Sequence, residues 1–136
     1  MRLWHKDLIP VLPRAQLVAQ WRELSSIAGS IQKKGTPNHI LVNFVLDYDF
    51  KHFISYAYYV RQEMTNRGYR TMDSVWKKIT SLTDFSNPLP FDEVYKEKMN
   101  DEYFNICYYN LLEKWMCGGI EDSIFADIKD EWLKRR

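Results

Sequence analysis

Apolar side chains recur at every third or fourth position in several segments of this chain, and prolines or glycines separate these segments. Leu17, Trp21, Leu24 and Ala28 show the pattern most simply, and this spacing places all four on one face of an α-helix. No two neighbouring segments alternate apolar and polar residues as half-buried strands do. The pattern therefore predicts an all-α fold, built as a small irregular helix bundle.

Prolines, glycines and capping residues indicate where the helices begin and end. Proline is favoured in the first turn of a helix, so the first clear helix should begin near Pro13, and it should end near Gly29. Asp47 or Asp49 should cap the next long helix, and Gly68 should end it. The predicted helices span residues 13–29, 50–67, 73–82, 92–116 and 122–134, the fourth with a break near residues 100–101.

Residues 39–46 form the one ambiguous segment, because six of these eight residues are apolar. A short strand and the start of a buried helix both fit such a run, and neither length nor periodicity decides between them. A short helix is the preferred interpretation.

Length and composition fit one folded domain that spans residues 1–136. The chain is 46% hydrophobic and 15% aromatic, whereas disordered chains lack this aromatic content. No run approaches the length of a membrane-spanning helix, and the first seven residues lack the apolar core of a secretion signal. We therefore expect a cytoplasmic protein with no membrane partner, and a monomer.

The two cysteines, Cys107 and Cys117, lie ten residues apart in one predicted helix. That spacing separates them by roughly 15 Å along the helix axis, which is too far for a disulfide. Both are expected to be reduced and mostly buried.

Common motifs of nucleotide-binding proteins and metallohydrolases are absent from the sequence. It has no G-x-x-x-x-G-K-[ST], G-x-G-x-x-G, H-E-x-x-H or G-x-S-x-G segment. The three histidines, His5, His39 and His52, contain no pair spaced four residues apart that could hold a metal. We therefore expect neither a metal ion nor an organic cofactor, and His52 should cap a helix or lie on a solvated helix face.

Charge is distributed unevenly along the chain, although the net charge is only +1. Residues 1–83 carry twelve Lys or Arg against six Asp or Glu, while residues 84–136 carry seven against twelve. A basic part of a nearly neutral protein can still face phosphate groups, so nucleic acid is a candidate partner.

The most informative segment is the start of the chain. It opens with Met1-Arg2-Leu3 and continues to the predicted helix, where residues 17–24 read Leu-Val-Ala-Gln-Trp-Arg-Glu-Leu and Gly29 follows. This arrangement resembles the start of the pyrimidine-dimer DNA glycosylase family, in which an aromatic residue precedes Arg-Glu-Leu at the same place. Residues 2–10 are similar to the opening of a bacterial branch of that family.

Weaker similarities to the same family extend further along the chain. One covers His39, and another covers residues 64–69, which resemble the end of the second helix of the family with its Arg-Gly-aromatic sequence. A third covers residues 99–115. The resemblance therefore spans most of the chain, although only the Arg22-Glu23 region is specific.

The resemblance implies an unusual nucleophile, the α-amine of Met1. Such enzymes attack the sugar C1′ of a damaged nucleotide, form an imine, release the base and cleave the strand by β-elimination. An ordinary α-amine has a pKa of about 7.7–8.0, so roughly 10–15% is uncharged at pH 7, against about 0.04% of a lysine amine. The implied activity is that of a DNA-repair glycosylase and abasic-site lyase acting on damaged double-stranded DNA of the pyrimidine-dimer type.

The resemblance also implies roles for the charged residues near the start of the chain. Glu23 would be the catalytic carboxylate, which stabilises positive charge at C1′ and transfers protons. Cationic side chains would contact DNA phosphates. These candidates are Arg2, Arg14, Arg22, Lys33 and Lys34, and His5 and His39 are additional candidates for the site.

Two questions stay open from the sequence alone. The chain could instead be a non-catalytic helical module that binds nucleic acid or protein, with Glu23 as an ordinary solvated residue. Gln16 and Ser26 stand where the family has a histidine and an arginine, which leaves the lesion preference undefined.

Overall fold

The computed structural model describes residues 1–136 and is all-helical, without a strand, which confirms the predicted fold class. Short 3₁₀ turns occupy Lys6–Val11, Asn43–Asp47 and Phe91–Glu93. The five α-helices are α1 (Arg14–Lys34), α2 (Phe50–Asn66), α3 (Asp73–Thr80), α4 (Asp101–Met116) and α5 (Asp122–Lys134).

One continuous core of 30 buried apolar residues joins all five helices. Helix α1 packs against α2 and α3, and α4 packs against α5. The 3₁₀ turn Lys6–Val11 lies between α2 and α5, so the start of the chain connects the two groups of helices. The predicted stripe of α1 is buried throughout, with Leu17, Leu24 and Ala28 fully shielded and Trp21 only 6% exposed.

Helix α1 begins where the sequence predicts but continues beyond the predicted end. Pro13 immediately precedes its first residue, whereas the helix passes Gly29 and ends at Gly35, which adopts a left-handed conformation with φ of 73°. The predicted end at Gly29 is therefore wrong. A glycine inside a helix costs about 1 kcal/mol relative to alanine, and the extra turns bury Ile31 against the core, which offsets that cost.

Helix α2 follows the sequence closely. The side chain of Asp49 caps it by accepting a hydrogen bond of 2.8 Å from the Lys51 amide, and Gly68 follows its end with a φ of 81°. Residues 39–46 contain a turn that leads into the 3₁₀ segment Asn43–Asp47, which agrees with the preferred helical interpretation.

The predicted helix 92–116 is shorter in the structure. It begins at Asp101, at the expected break, and the side chain of Asn100 caps it by accepting a hydrogen bond from the Tyr103 amide. The preceding residues form a turn because the buried ammonium of Lys6 donates to the carbonyls of Phe91, Asp92 and Val94, at 2.8–2.9 Å. These carbonyls point at Lys6 instead of along a helix axis.

Two expectations about individual side chains are wrong. His52 is half-buried instead of solvated: its Nδ1 accepts a hydrogen bond from the Tyr95 amide and its ring stacks on the Tyr95 ring. Cys107 is buried as expected, but Cys117 is exposed because α4 has just ended there.

None of the helices has the length and apolar character needed to cross a membrane.

Candidate active site

A cleft of about 680 Å³ opens beside the start of the chain. One side of it is formed by Met1, Arg2 and Trp4, and Glu23 reaches it from α1. The structure therefore brings together the amine and the carboxylate that the sequence analysis singles out, although 22 positions separate them in the chain.

The opposite wall comes from the end of α4 and the residues after it. Asn110, Glu113, Lys114, Cys117 and Gly119 line this wall. None of them carries a local motif that points to a site, because the wall exists only when α4 folds against the start of the chain. Lys114 matters most for the chemistry, since it is the one lysine among the residues that line the cleft.

The segment that leads to Met1 is held against the protein by its backbone. The side chain of Gln20 accepts a hydrogen bond of 2.8 Å from the Trp4 amide and donates one of 3.0 Å to the Arg2 carbonyl. The Tyr103 hydroxyl donates to the carbonyl of Leu3, whose side chain is completely buried. These contacts fix the direction in which the chain enters the cleft.

The carboxylate of Glu23 is in an environment that disfavours its charge. Burial raises the pKa of Glu23, while the positive charges of the Met1 amine and of His39 lower it. The positive charge of the amine thus favours the charged form of Glu23, and burial disfavours it. A carboxylate with a raised pKa is suited to accept and return protons.

The arginines on α1 lie around a separate, shallow depression on the exposed side of the helix. Arg14 and Arg22 border this depression together with Val18. The guanidinium of Arg14 lies 5.0 Å from the centre of the Tyr69 ring, a cation–π arrangement that orients it. Both arginines are exposed and free to approach phosphate groups.

Lys33 and Lys34 are exposed in the last turn of α1. They lie ten or more residues beyond Glu23, which corresponds to about 15 Å along the helix. They are therefore outside the cleft, and only distant phosphates along a bound duplex would be within their reach. Arg2, in contrast, lines the cleft and lies 5.9 Å from the centre of the Trp4 ring.

The two additional histidine candidates occupy different environments. His5 is completely buried, and its Nε2 donates to the Met99 carbonyl at 2.9 Å while its Nδ1 accepts from the Asp7 amide at 3.1 Å. Burial lowers the pKa of His5 to about 4, so it is neutral and does not reach the cleft. His39 is half-exposed and near enough to influence the pKa of Glu23.

Gln20 is the functional candidate that the sequence analysis missed. It lies three residues before Glu23, a spacing that places both side chains on the same face of α1. No local signal in the sequence identifies it, because a glutamine in an amphipathic helix is usually solvated, and only its contacts in the fold distinguish it. No group of three or more His, Cys, Asp or Glu side chains is arranged to hold a metal ion.

Comparison with protein families gives one match. The family model described as pyrimidine dimer DNA glycosylase matches residues 1–77, a region that contains the first side of the cleft, Gln20 and Glu23. The wall formed by the end of α4 lies outside the matched region. Neither the curated proteins nor the solved structures contain a significant match to this chain.

Proposed function

Since the chain belongs to the pyrimidine dimer DNA glycosylase family, we propose that it excises the damaged base from pyrimidine-dimer lesions in double-stranded DNA and then cleaves the resulting abasic site. The nucleophile is the α-amine of Met1. The observation that carries this proposal is the shared cleft of Met1 and Glu23.

The chemistry needs only these two groups and the substrate. The uncharged amine attacks C1′, and the bond between C1′ and the base breaks, so the base leaves with the bonding electrons and takes up a proton. The amine then loses a proton, and the bond between C1′ and the ring oxygen opens; the ring oxygen takes up a proton and becomes a hydroxyl, which leaves a protonated imine at C1′. Glu23 stabilises the positive charge near C1′ and accepts the amine proton.

Strand cleavage follows from the same intermediate. The imine acidifies the C2′ proton; Glu23 accepts this proton, and the electron pair that remains expels the 3′ phosphate by β-elimination. Water then hydrolyses the imine and restores the free amine. Every step is balanced by proton transfer, and no oxidant, reductant or cofactor is consumed.

The surrounding cations are suited to hold the DNA during these steps. Arg2 lies in the cleft, where it would contact the phosphate beside the damaged nucleotide. Arg14 and Arg22 are exposed on the adjacent face of α1, and Lys33 and Lys34 would reach phosphates further along the duplex. Phosphate contacts of this kind position a duplex without reading its sequence.

Borohydride trapping on DNA that contains an abasic site tests the proposal. Mass spectrometry first establishes that the purified chain carries a free amine at Met1. We expect a covalent adduct near pH 7 that peptide mapping places on Met1 and that disappears when the α-amine is acetylated. Lys114 is the competing amine in the cleft, whereas Lys6 is engaged with three carbonyls.

A variant Lys114→Gln serves as the control, because it removes the competing amine and keeps a polar side chain in the wall. The adduct of this variant should form as in the parent protein. A crosslink on Lys114 would contradict the role of Met1 while preserving lyase activity, and the absence of any crosslink would favour a non-catalytic binding module.

Replacing the carboxylate tests the second group. Glu23→Gln should slow base release by roughly a hundredfold or more, the range of general acid–base catalysis, with DNA affinity preserved. Because burial raises the pKa of Glu23, its charge opposes folding at neutral pH, and Glu23→Gln should not lower the free energy of unfolding. Single-turnover base release and urea unfolding measure the two effects, and unchanged base release would remove Glu23 from the mechanism.

A further inference from the structure

Gln20 is completely buried, and both polar atoms of its side-chain amide are hydrogen-bonded. Its Oε1 accepts from the Trp4 amide at 2.8 Å and lies 2.9 Å from the Tyr56 hydroxyl. Its Nε2 donates to the Arg2 carbonyl at 3.0 Å. The other buried side chains of α1 are all apolar, so the polar group is explained by the segment that it binds and not by the needs of the helix.

The side-chain amide of Gln20 binds the first residues as a backbone peptide group would. Gln20 pairs with the carbonyl of Arg2 and the amide of Trp4, as a residue of a neighbouring strand would. Because peptide bonds are planar, holding the Arg2 carbonyl also fixes the plane between Arg2 and Leu3. The position of the Met1 α-amine relative to this plane then depends on only three backbone torsion angles.

The carboxylate is fixed to the same support. Glu23 follows Gln20 by three residues on α1, so one turn of a rigid helix carries both the group that orients the amine and the group that interacts with it. A single turn of α1 therefore acts on both sides of the separation between the amine and the carboxylate.

Two tyrosines secure the segment independently of Gln20. The Tyr56 hydroxyl donates to the Trp4 carbonyl at 2.6 Å, and the Tyr103 hydroxyl donates to the Leu3 carbonyl. Both tyrosines come from other helices, α2 and α4. With these anchors in place, loss of the Gln20 bonds should release the end of the segment without detaching the whole of it.

We infer that Gln20 is a positioning residue that holds the α-amine of Met1 in line with Glu23 for attack on C1′, an inference that rests on the proposed function. Gln20 is buried and touches neither the DNA nor the reacting atoms. Its effect is on the fraction of time that the amine spends in the reactive orientation. A misplacement of about 1 Å at a reacting centre can cost roughly a hundredfold in rate.

The test compares Gln20→Met, which keeps the volume and removes the hydrogen bonds, with Ser55→Ala. Ser55 is also buried, and its hydroxyl accepts a hydrogen bond of 2.9 Å from the Leu89 amide, away from the cleft. The measured quantities are the borohydride-trapping rate at saturating abasic-site DNA, the Kd for that DNA, and hydrogen exchange of the first residues by mass spectrometry.

For Gln20→Met we expect a trapping rate that falls by roughly 10- to 100-fold, a Kd within about twofold of the parent value, and faster exchange at the Trp4 amide. Ser55→Ala should lose stability without loss of trapping rate. If Gln20→Met does not fold, Gln20→Leu replaces it: it also lacks both hydrogen bonds, and a fall of the same size is expected.

Equal trapping rates of the parent and the Gln20 variant would overturn the inference and leave the proposed function intact. A rate that falls only because Kd rises, or that falls equally in Ser55→Ala, would likewise overturn it, since the role would then be binding or stability. No adduct with the parent protein would overturn the proposed function, and the inference with it.

Discussion

His5 illustrates how burial determines the chemistry of a single side chain. The edge of its ring contacts Phe104 and both ring nitrogens are hydrogen-bonded. Burial is the main reason that the pKa of His5 falls to about 4; Asp7 opposes this shift, and Arg135 and Lys6 add to it. The sequence offers His5 as an additional candidate for the site. In the structure it is instead a neutral, hydrogen-bonded side chain of the core.

The lowered pKa predicts a loss of stability in acid. Between about pH 6.5 and pH 4 the unfolded chain binds a proton at His5 and the folded chain does not, so the free energy of unfolding falls as the pH falls. The expected contribution between pH 7 and pH 4.5 is about 2.5 kcal/mol. Urea unfolding at several pH values measures it.

The matched pair for this measurement is His5→Gln and His39→Gln. The first variant should be less stable at neutral pH but should have a flatter dependence on pH, because the group that titrates is gone. His39→Gln, at a half-exposed position outside the core, is the control for replacing a histidine. A His5 variant with the pH dependence of the parent protein would contradict the assignment.

Among the helices, α4 connects two parts of the site. Its first turn carries Tyr103, which holds the Leu3 carbonyl, and its last turns form the wall with Lys114. The cap of this helix is Asn100, whose side chain accepts a hydrogen bond of 2.9 Å from the Tyr103 amide. The same short contact therefore begins the helix and orients the residue that secures the start of the chain.

Removing this cap predicts a defined cost. Asn100→Ala should lower the free energy of unfolding by about 1 kcal/mol, the usual value for an N-cap. Asp49→Ala, at the cap of α2, should cost a similar amount. Because the two caps belong to different helices, their effects should add in the double variant. Urea unfolding of the three variants tests this, and a double variant no less stable than either single one would contradict it.

The elements that the sequence predicts well are those with local signals. Pro13, Asp49 and Gly68 mark helix ends through the conformation of their own backbone or through a neighbouring hydrogen bond, and α5 has the predicted bounds of Asp122–Lys134. The end of α1 was missed because it depends on the burial of Ile31, a tertiary effect.

The remaining misses also have distant causes. The turn before α4 exists because Lys6, more than 80 positions away, binds its carbonyls. For the candidate site, the resemblance to the family directed attention to Met1 and Glu23, whereas Gln20 and Lys114 could be recognised only from their contacts. The residues proposed to react can thus be identified from the sequence, whereas the residues around them can be identified only from the fold.

On the scale of the whole molecule, the cleft lies between a basic and an acidic part of the chain. Residues 1–83, which supply one side and Glu23, carry twelve cationic against six anionic side chains, and residues 84–136 carry seven against twelve. The net charge of +1 therefore combines a basic first part and an acidic last part of the chain. DNA should approach along the exposed face of α1 and not across α5.

This distribution predicts how DNA binding depends on salt. With three or four phosphate contacts, a plot of log affinity against log salt should have a slope of about −3 to −4. Replacement of Arg22 by Gln should reduce the magnitude of the slope by about 1, because this exposed side chain of α1 would lose one phosphate. Lys129→Gln, at an exposed position of α5, should leave the slope unchanged.

Fluorescence anisotropy between roughly 50 and 200 mM salt covers the useful range. A slope near zero would show that the face of α1 does not meet DNA, and equal effects of the two variants would show that the protein attracts DNA without orienting it.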